Sequence, residues 1–206
     1  MLLNGGITIF MALVDFIPVV FFFISGILLI KDLSNKLNKG YYSLLSAGII
    51  MVFIAGALKA LWKVLYALEL CDYVLLDHSF FPMQSIGFVL VFISLIGVVS
   101  KKHINSLLLT IPVYESSMPF VFVQVVGCSG VQWLLFSIAL KLKKKLAAVL
   151  FVLSFIFMLC MGYLSSKFDD SSNMHWLAQV INIVSQGSLF GGVLILHKSG
   201  LANENL

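Results

Sequence analysis

Apolar runs of about twenty residues, closed by lysines or by short acidic stretches, recur along this chain and leave its backbone little choice. Residues 7–30, 41–68, 79–100, 119–140, 146–165 and 174–198 each supply the ~20 residues a helix needs to cross ~30 Å of hydrocarbon. No water inside a bilayer satisfies a backbone N–H or C=O, so such runs fold as helices. The expected fold is therefore all-α, a polytopic membrane helical bundle. With 61% hydrophobic and 11% charged residues, the 206-residue chain reads as a single transmembrane domain.

Lysines orient the bundle. Every basic residue is Lys, and ten of them (31, 36, 39, 101, 102, 141, 143, 144, 145 and 198) lie at helix ends that one face of the membrane would share. If the loop after the first helix is cytoplasmic, Lys141 to Lys145 falls outside unless residues 104–140 cross twice. The break that allows this is Glu115-Ser-Ser-Met-Pro119, since proline suits the first turn of a helix. A short helix over 104–114, in a linker of 104–116, then completes seven transmembrane helices, with the N-terminus external and the C-terminus cytoplasmic. Lysines so placed imply contact with a lipid bilayer rather than with nucleic acid. The expected location is the bacterial cytoplasmic membrane, multi-pass. Residues 1–6 lack a basic segment and a cleavage site, so they read as the start of a retained helix. Cys71, Cys128 and Cys160 follow no ligand or disulfide spacing, so neither a metal nor another cofactor is expected.

A weak internal repeat accompanies this layout. The third helix opens at His78 and ends at Lys101, while the last opens at His175 and ends at Lys198, one offset of 97 residues at both ends. Residues 7–100 and 119–198 thus read as two parallel three-helix repeats joined by the short helix. This three-plus-one-plus-three arrangement resembles the SWEET and PQ-loop transporter families in architecture alone. Pro82-Met83-Gln84 is not their Pro-Gln pair, and no site residue carries over. The segments Ala12-Leu-Val-Asp-Phe-Ile-Pro18, Ala60-Leu-Trp-Lys-Val-Leu-Tyr66 and Phe80-Phe-Pro-Met-Gln84 resemble small membrane proteins of Firmicute-type bacteria, which implies no particular activity.

The polar residues within the spans carry what functional information there is. His175, Gln179, Asn182 and Gln186 recur at steps of four, three and four, so they share one helical face. Gln124 and Gln132 do the same on the fifth helix, and Gln84 lies just inside the third. Asp15 is an intramembrane carboxylate, rare and costly, for which Lys59 is the expected partner, while Lys63 is near enough to an interface to snorkel. Depths along the helices place most of these residues in the outer half, over inner halves of Ser, Gly and hydrocarbon. Two readings remain open: an outward-facing polar cavity over an apolar plug, or amides that bond neighbouring helices at ~0.6–2 kcal/mol each.

With the cavity, Asp15, Lys59, Lys63, Gln84, Gln124, Gln132, His175, Gln179, Asn182 and Gln186 are the candidate binding residues for a small polar ligand. A secondary transporter is the expected activity. The alternative is a receptor or accessory subunit that binds an external ligand or a protein partner without transport, and a homo-oligomer is compatible with either. No catalytic residues are assigned and no enzyme is expected, since neither Gly-x-Ser-x-Gly nor His-Glu-x-x-His occurs and the last helix lacks a Schiff-base lysine.

Overall fold

In the computed structural model, residues 8–71, 73–100, 118–166 and 172–204 are described. They form α1 (Ile9–Val14), α2 (Phe16–Leu33), α3 (Lys39–Ala67), α4 (Val74–His78), α5 (Phe80–Ser100), α6 (Met118–Lys141), α7 (Lys145–Ser166) and α8 (Ser172–Lys198). Five stretches are long and apolar enough to cross a membrane: Ile9–Leu33, Lys39–Ala67, Phe80–Val99, Pro119–Lys141 and Asn173–Lys198, with a shorter apolar helix at Lys145–Met161. The chain is a multi-pass integral membrane protein. The short helix expected over 104–114 lies outside the described residues, so seven helices are not seen; six long ones are.

Local chemistry sets the helix ends. Thr8 Oγ1 accepts from Met11 N at 3.2 Å and Asn38 Oδ1 from Tyr41 N at 2.9 Å, each satisfying an amide that the first turn leaves orphaned. The first span breaks at Asp15 between α1 and α2. Pro18 has no N–H to offer the carbonyl four residues back, which is what interrupts the ladder there. α8 ends in a Schellman turn: Leu201 N donates to Leu196 O, Gly200 N to His197 O, and Gly200 takes φ +82°. α3 and α6 end in the same turn with side-chain-bearing residues in the left-handed position, Glu69 at φ 57° and Lys143 at φ 55°.

The six long helices close into a ring. α2 packs on α3, α3 on α5, α5 on α6, α6 on α7, α7 on α8, and α8 returns to α2. Small residues make the approaches possible, as usual between membrane helices. A Cβ on Gly48 would lie 2.7 Å from Gly87 O, and one on Gly87 would lie 2.9 Å from Gly48 O, so the α3 and α5 backbones touch. On the opposite side of the ring, Gly192 of α8 lies against the Phe151 ring of α7. α5 and α6 run parallel: Gln84 meets Gln124 near their starts, Phe88 lies on Gly127 and Phe92 on Gly130. α8 and α2 are parallel too, since Gln179, Phe190 and His197 meet Met11, Phe21 and Asp32 in that order.

The buried positions fall into a common register. Ser25, Gly26, Leu29, Asp32 and Leu33 of α2 are buried, as are Val131, Gln132, Leu135, Ile138 and Ala139 of α6, each 106 residues on. The same offset relates Tyr41, Leu45 and Gly48 of α3 to Ala147, Phe151 and Ser154 of α7, and the first residues of those helices, Lys39 and Lys145. From α5 to α8 the matching offset is 98, pairing Val91, Ser94, Leu95 and Val98 with Leu189, Gly192, Val193 and Leu196.

The left-handed residue and the touching backbones predict opposite responses to substitution. Lys143→Gly relieves an L-residue of its left-handed conformation and is expected to stabilise the protein by ~1 kcal/mol. Gly48→Val, which must push the α3 and α5 backbones away from each other, is expected to cost ~1–3 kcal/mol or more. Gly187→Ala, whose Cβ meets Phe21 no closer than 3.5 Å, should change little. Thermal unfolding in a single detergent ranks the three.

Candidate functional site

Each interface of the ring carries at least one polar link. Lys63 pairs with Asp15 between α3 and the α1–α2 break. Ser94 Oγ donates to Tyr41 O at 2.7 Å between α5 and α3, and Gln124 Nε2 to Gln84 Oε1 at 2.8 Å between α6 and α5. Gln132 Nε2 donates to Ser154 Oγ at 2.8 Å, and Ser185 Oγ to Ser154 O at 3.0 Å, so that α7 is tied to both its neighbours through one serine. Gln179 Nε2 donates to Met11 O at 2.7 Å, joining α8 to α1. That carbonyl already receives Asp15 N at a long 3.3 Å, and the break in the helix leaves it room for a second donor.

These links revise the expected ion pair. Asp15 is partnered by Lys63, not by Lys59, because Lys63 lies two turns beyond Gly56 on the face of α3 that meets Val19 of α2. Lys59 is turned toward the start of α5, where its ammonium lies 4.2 Å from the Phe80 ring centre and 5.2 Å from that of Phe81, a cation–π arrangement. Both lysines are held within the protein.

A cavity sits on the axis of the ring, near mid-height, with walls from all six long helices. Its volume is about 30 Å3, room for about two waters. Phe22 and Phe88 meet edge to face on one side, with ring centres 5.7 Å apart. Gln132, Gln186, Ser185 and Cys128 lie on the other, and Ser25 and Gly26 adjoin Phe22. Of the ten expected site residues, the cavity wall gathers Gln132 and Gln186. Gln84, Gln124 and Gln179 are engaged in links near the starts of α5, α6 and α8, Lys63 near the end of α3 pairs with Asp15, and His175 and Asn182 lie half-buried on α8 away from the wall. The cavity lies at mid-height, and Gln84, Gln124 and Gln179, nearer one end of the bundle, bond across the adjacent seams.

Two features escape a reading from sequence. Asp32, 3% exposed, meets His197 Nδ1 through Oδ1 at 2.8 Å and joins α2 to α8 at the lysine-rich end of the bundle. Beside Lys31 it looks like a loop residue, but its spacing of seven from Ser25 puts it on the buried face. Ser25 and Ser185 look like neutral small residues and prove to be cavity walls.

If the Asp15–Lys63 pair is a structural link, its removal in halves should be worse than its removal whole. Asp15→Asn or Lys63→Met leaves one charge unpaired, whereas the double variant leaves none. A double-mutant cycle of unfolding midpoints is expected to return a coupling on the order of 1–3 kcal/mol. Additive effects would mean that the pair holds nothing together.

No protein family, curated protein or solved structure matches this chain. The identity that stands is a multi-pass helical membrane protein with a small, mostly apolar cavity at its centre, lined in part by Gln132, Gln186, Ser25 and Ser185.

Proposed function

We propose that this protein is a membrane transporter for a small polar solute, with the central cavity as the binding site. The observation that carries the reading is that all six long helices wall one cavity, and that two of its lining residues, Gln132 and Gln186, have a buried Oε1 without a hydrogen-bond partner. Buried amide oxygens are ordinarily satisfied, and one left open in a cavity is a place for a ligand or for water.

The wider layout belongs to the same proposal. Two three-helix repeats are supported by the shared 106-residue register of α2–α3 and α6–α7 and by the matching pairings around the ring. The aligned burial moves the offset of the last helix from 97 to 98. Parallel α5 and α6 require the chain to return between them, which supports a seventh crossing within residues 101–117 and the assignment of all ten helix-end lysines to one side. That side is the cytoplasm in this reading, with the N-terminus external and the membrane that of a bacterial cell. A transporter would work by rocking one repeat against the other about the shared cavity.

A polar link at each interface favours a second reading, a rigid receptor or accessory subunit that binds without transport. Reconstituted vesicles separate the two. The transporter reading expects uptake of a solute from a mixed metabolite pool, reduced about tenfold or more by Gln186→Leu at equal protein; ligand-induced stabilisation with no uptake of any stabilising compound favours the receptor. Single cysteines placed at Asn203 and at Asn173 should react with an impermeant maleimide from opposite sides of whole cells, and labelling of both from the same side overturns the assigned orientation.

A further inference from the structure

The ring has one seam that no loop spans. Every other seam joins long helices consecutive in sequence, whereas at α8 and α2 the last helix meets the first. Contacts alone hold it. Gln179 bonds Met11 O at one end, Phe21 and Phe190 stack further along with ring centres 5.6 Å apart, and Asp32 meets His197 at the lysine-rich end. Leu29 of α2 and Leu189 of α8 line the cavity, so the seam runs from the cavity to the Asp32–His197 bond. Beside that bond Lys36 Nζ donates to Glu204 O, which ties the chain after α8 to the turn after α2.

Asp32 is the costly residue of this end. Its side chain is 3% exposed, Oδ1 lies 2.8 Å from His197 Nδ1, and Oδ2 is buried with no hydrogen-bond partner. A buried carboxylate in that state needs a facing cation. The neighbouring titratable groups are Lys31 and Lys198, adjacent to the pair in sequence, and Lys36 and Glu204 in the segments that follow. The helices packed on α2 and α8 bring Lys39, Tyr41 and Tyr42 of α3 and Lys145 of α7 to the same end. Among the described residues none of these bonds to either member, and His197 is the partner Asp32 has.

A proton is the ligand that fits a carboxylate so enclosed, because it needs no space beside Oδ2. His197, 30% exposed, gives it a way in. The proton belongs to the pair, whichever member carries it. With it the pair is neutral overall, and an imidazolium donates through Nδ1 in a charge-assisted bond. Without it a buried negative charge remains, faced by the single hydrogen of a neutral imidazole. An opened seam lets water reach both Asp32 oxygens, so the closed seam is the form that holds the proton more tightly. By linkage, closure is favoured at low pH and lost as rising pH removes the proton. Histidine is the side chain that ordinarily makes such a change between about pH 5 and 8.

We propose that Asp32 and His197 form a proton-binding latch on the α2–α8 seam, closed while the pair holds its proton and loosened when it does not. The link at the other end of the seam, Gln179 on Met11 O, has no charge to lose, so the change is confined to the lysine-rich end. Loosening there gives the cavity a path toward that end. The latch does not rest on a solute crossing the membrane.

The test is amide hydrogen exchange of the purified full-length protein at about pH 6 and about pH 8.5, each rate divided by the intrinsic rate at that pH, for wild type, His197→Gln and Asp32→Asn. In wild type, residues 196–204 are expected to exchange about threefold faster or more at the higher pH after this correction, while α3 around Gly48 keeps one rate. His197→Gln, whose amide never carries a charge, should exchange at the fast level at both pH values, and Asp32→Asn should lose the pH difference. A wild-type segment that is no faster at the higher pH overturns the latch. So does a pH difference that His197→Gln keeps, or slow exchange of that variant at both values. If Asp32→Asn does not fold, His197→Gln at the half-exposed partner decides alone. Vesicle uptake that fails while the latch responds overturns the transporter reading and leaves the latch standing.

Discussion

A hydrogen bond that water cannot replace governs this bundle. Inside hydrocarbon a polar side chain either finds protein or stays unmet, and leaving it unmet costs several kcal/mol. The chain answers with one link or more at each seam of the ring, from Asp15–Lys63 through Gln84–Gln124 and Gln132–Ser154 to Gln179–Met11. Apolar packing alone distinguishes poorly between helix neighbours in lipid, because a leucine is as well solvated by acyl chains as by another helix. The amides therefore specify which helix lies beside which. Glycine and serine then let the chosen neighbours come close, as Gly48 and Gly87 do.

The same rule gives the cavity its meaning. Gln124, Gln132 and Gln179 each reach across a seam through Nε2 and keep a buried Oε1 without a partner, and Gln132 and Gln186 are the two glutamines on the cavity wall. Both amides lie on the side of α6 and α8, while Phe22 and Phe88 stand with Ser25 on the side of α2 and α5. A ring of similar contacts thus encloses a cavity whose two amides come from α6 and α8.

How much of this the residues disclose depends on range. Span lengths and the lysine-bearing ends are legible because they depend on local hydropathy and helical rise alone; α3 begins at Lys39 and α8 ends at Lys198 for those reasons. The polar face of the last helix is legible too, since a period of 3.6 is local. What periodicity cannot give is the rotation of one helix against another. That rotation decides whether Lys59 or Lys63 meets Asp15, and the decisive residue, Gly56 against Val19, carries no polar signal at all. Asp32 is hidden differently: a carboxylate next to a lysine at a helix end looks solvated, and only the return of α8 covers it. The common spacing of 106 residues is half legible, because its ends are marked by charge while the matching of buried positions is written in the packing, which a sequence does not display.

The contact between Gly48 and Gly87 has a mechanical side. Where side chains separate two helices, rotamers can change and the helices can slide by small steps; where backbone meets backbone there is nothing to rearrange. The corresponding positions across the ring, Ser154 and Ser185, are held by a hydroxyl that can exchange one carbonyl for another. The two seams are alike in position and unlike in stiffness. Backbone contact leaves α3 and α5 no rotamer through which to slide, whereas the seam of α7 and α8 has a hydroxyl that can turn.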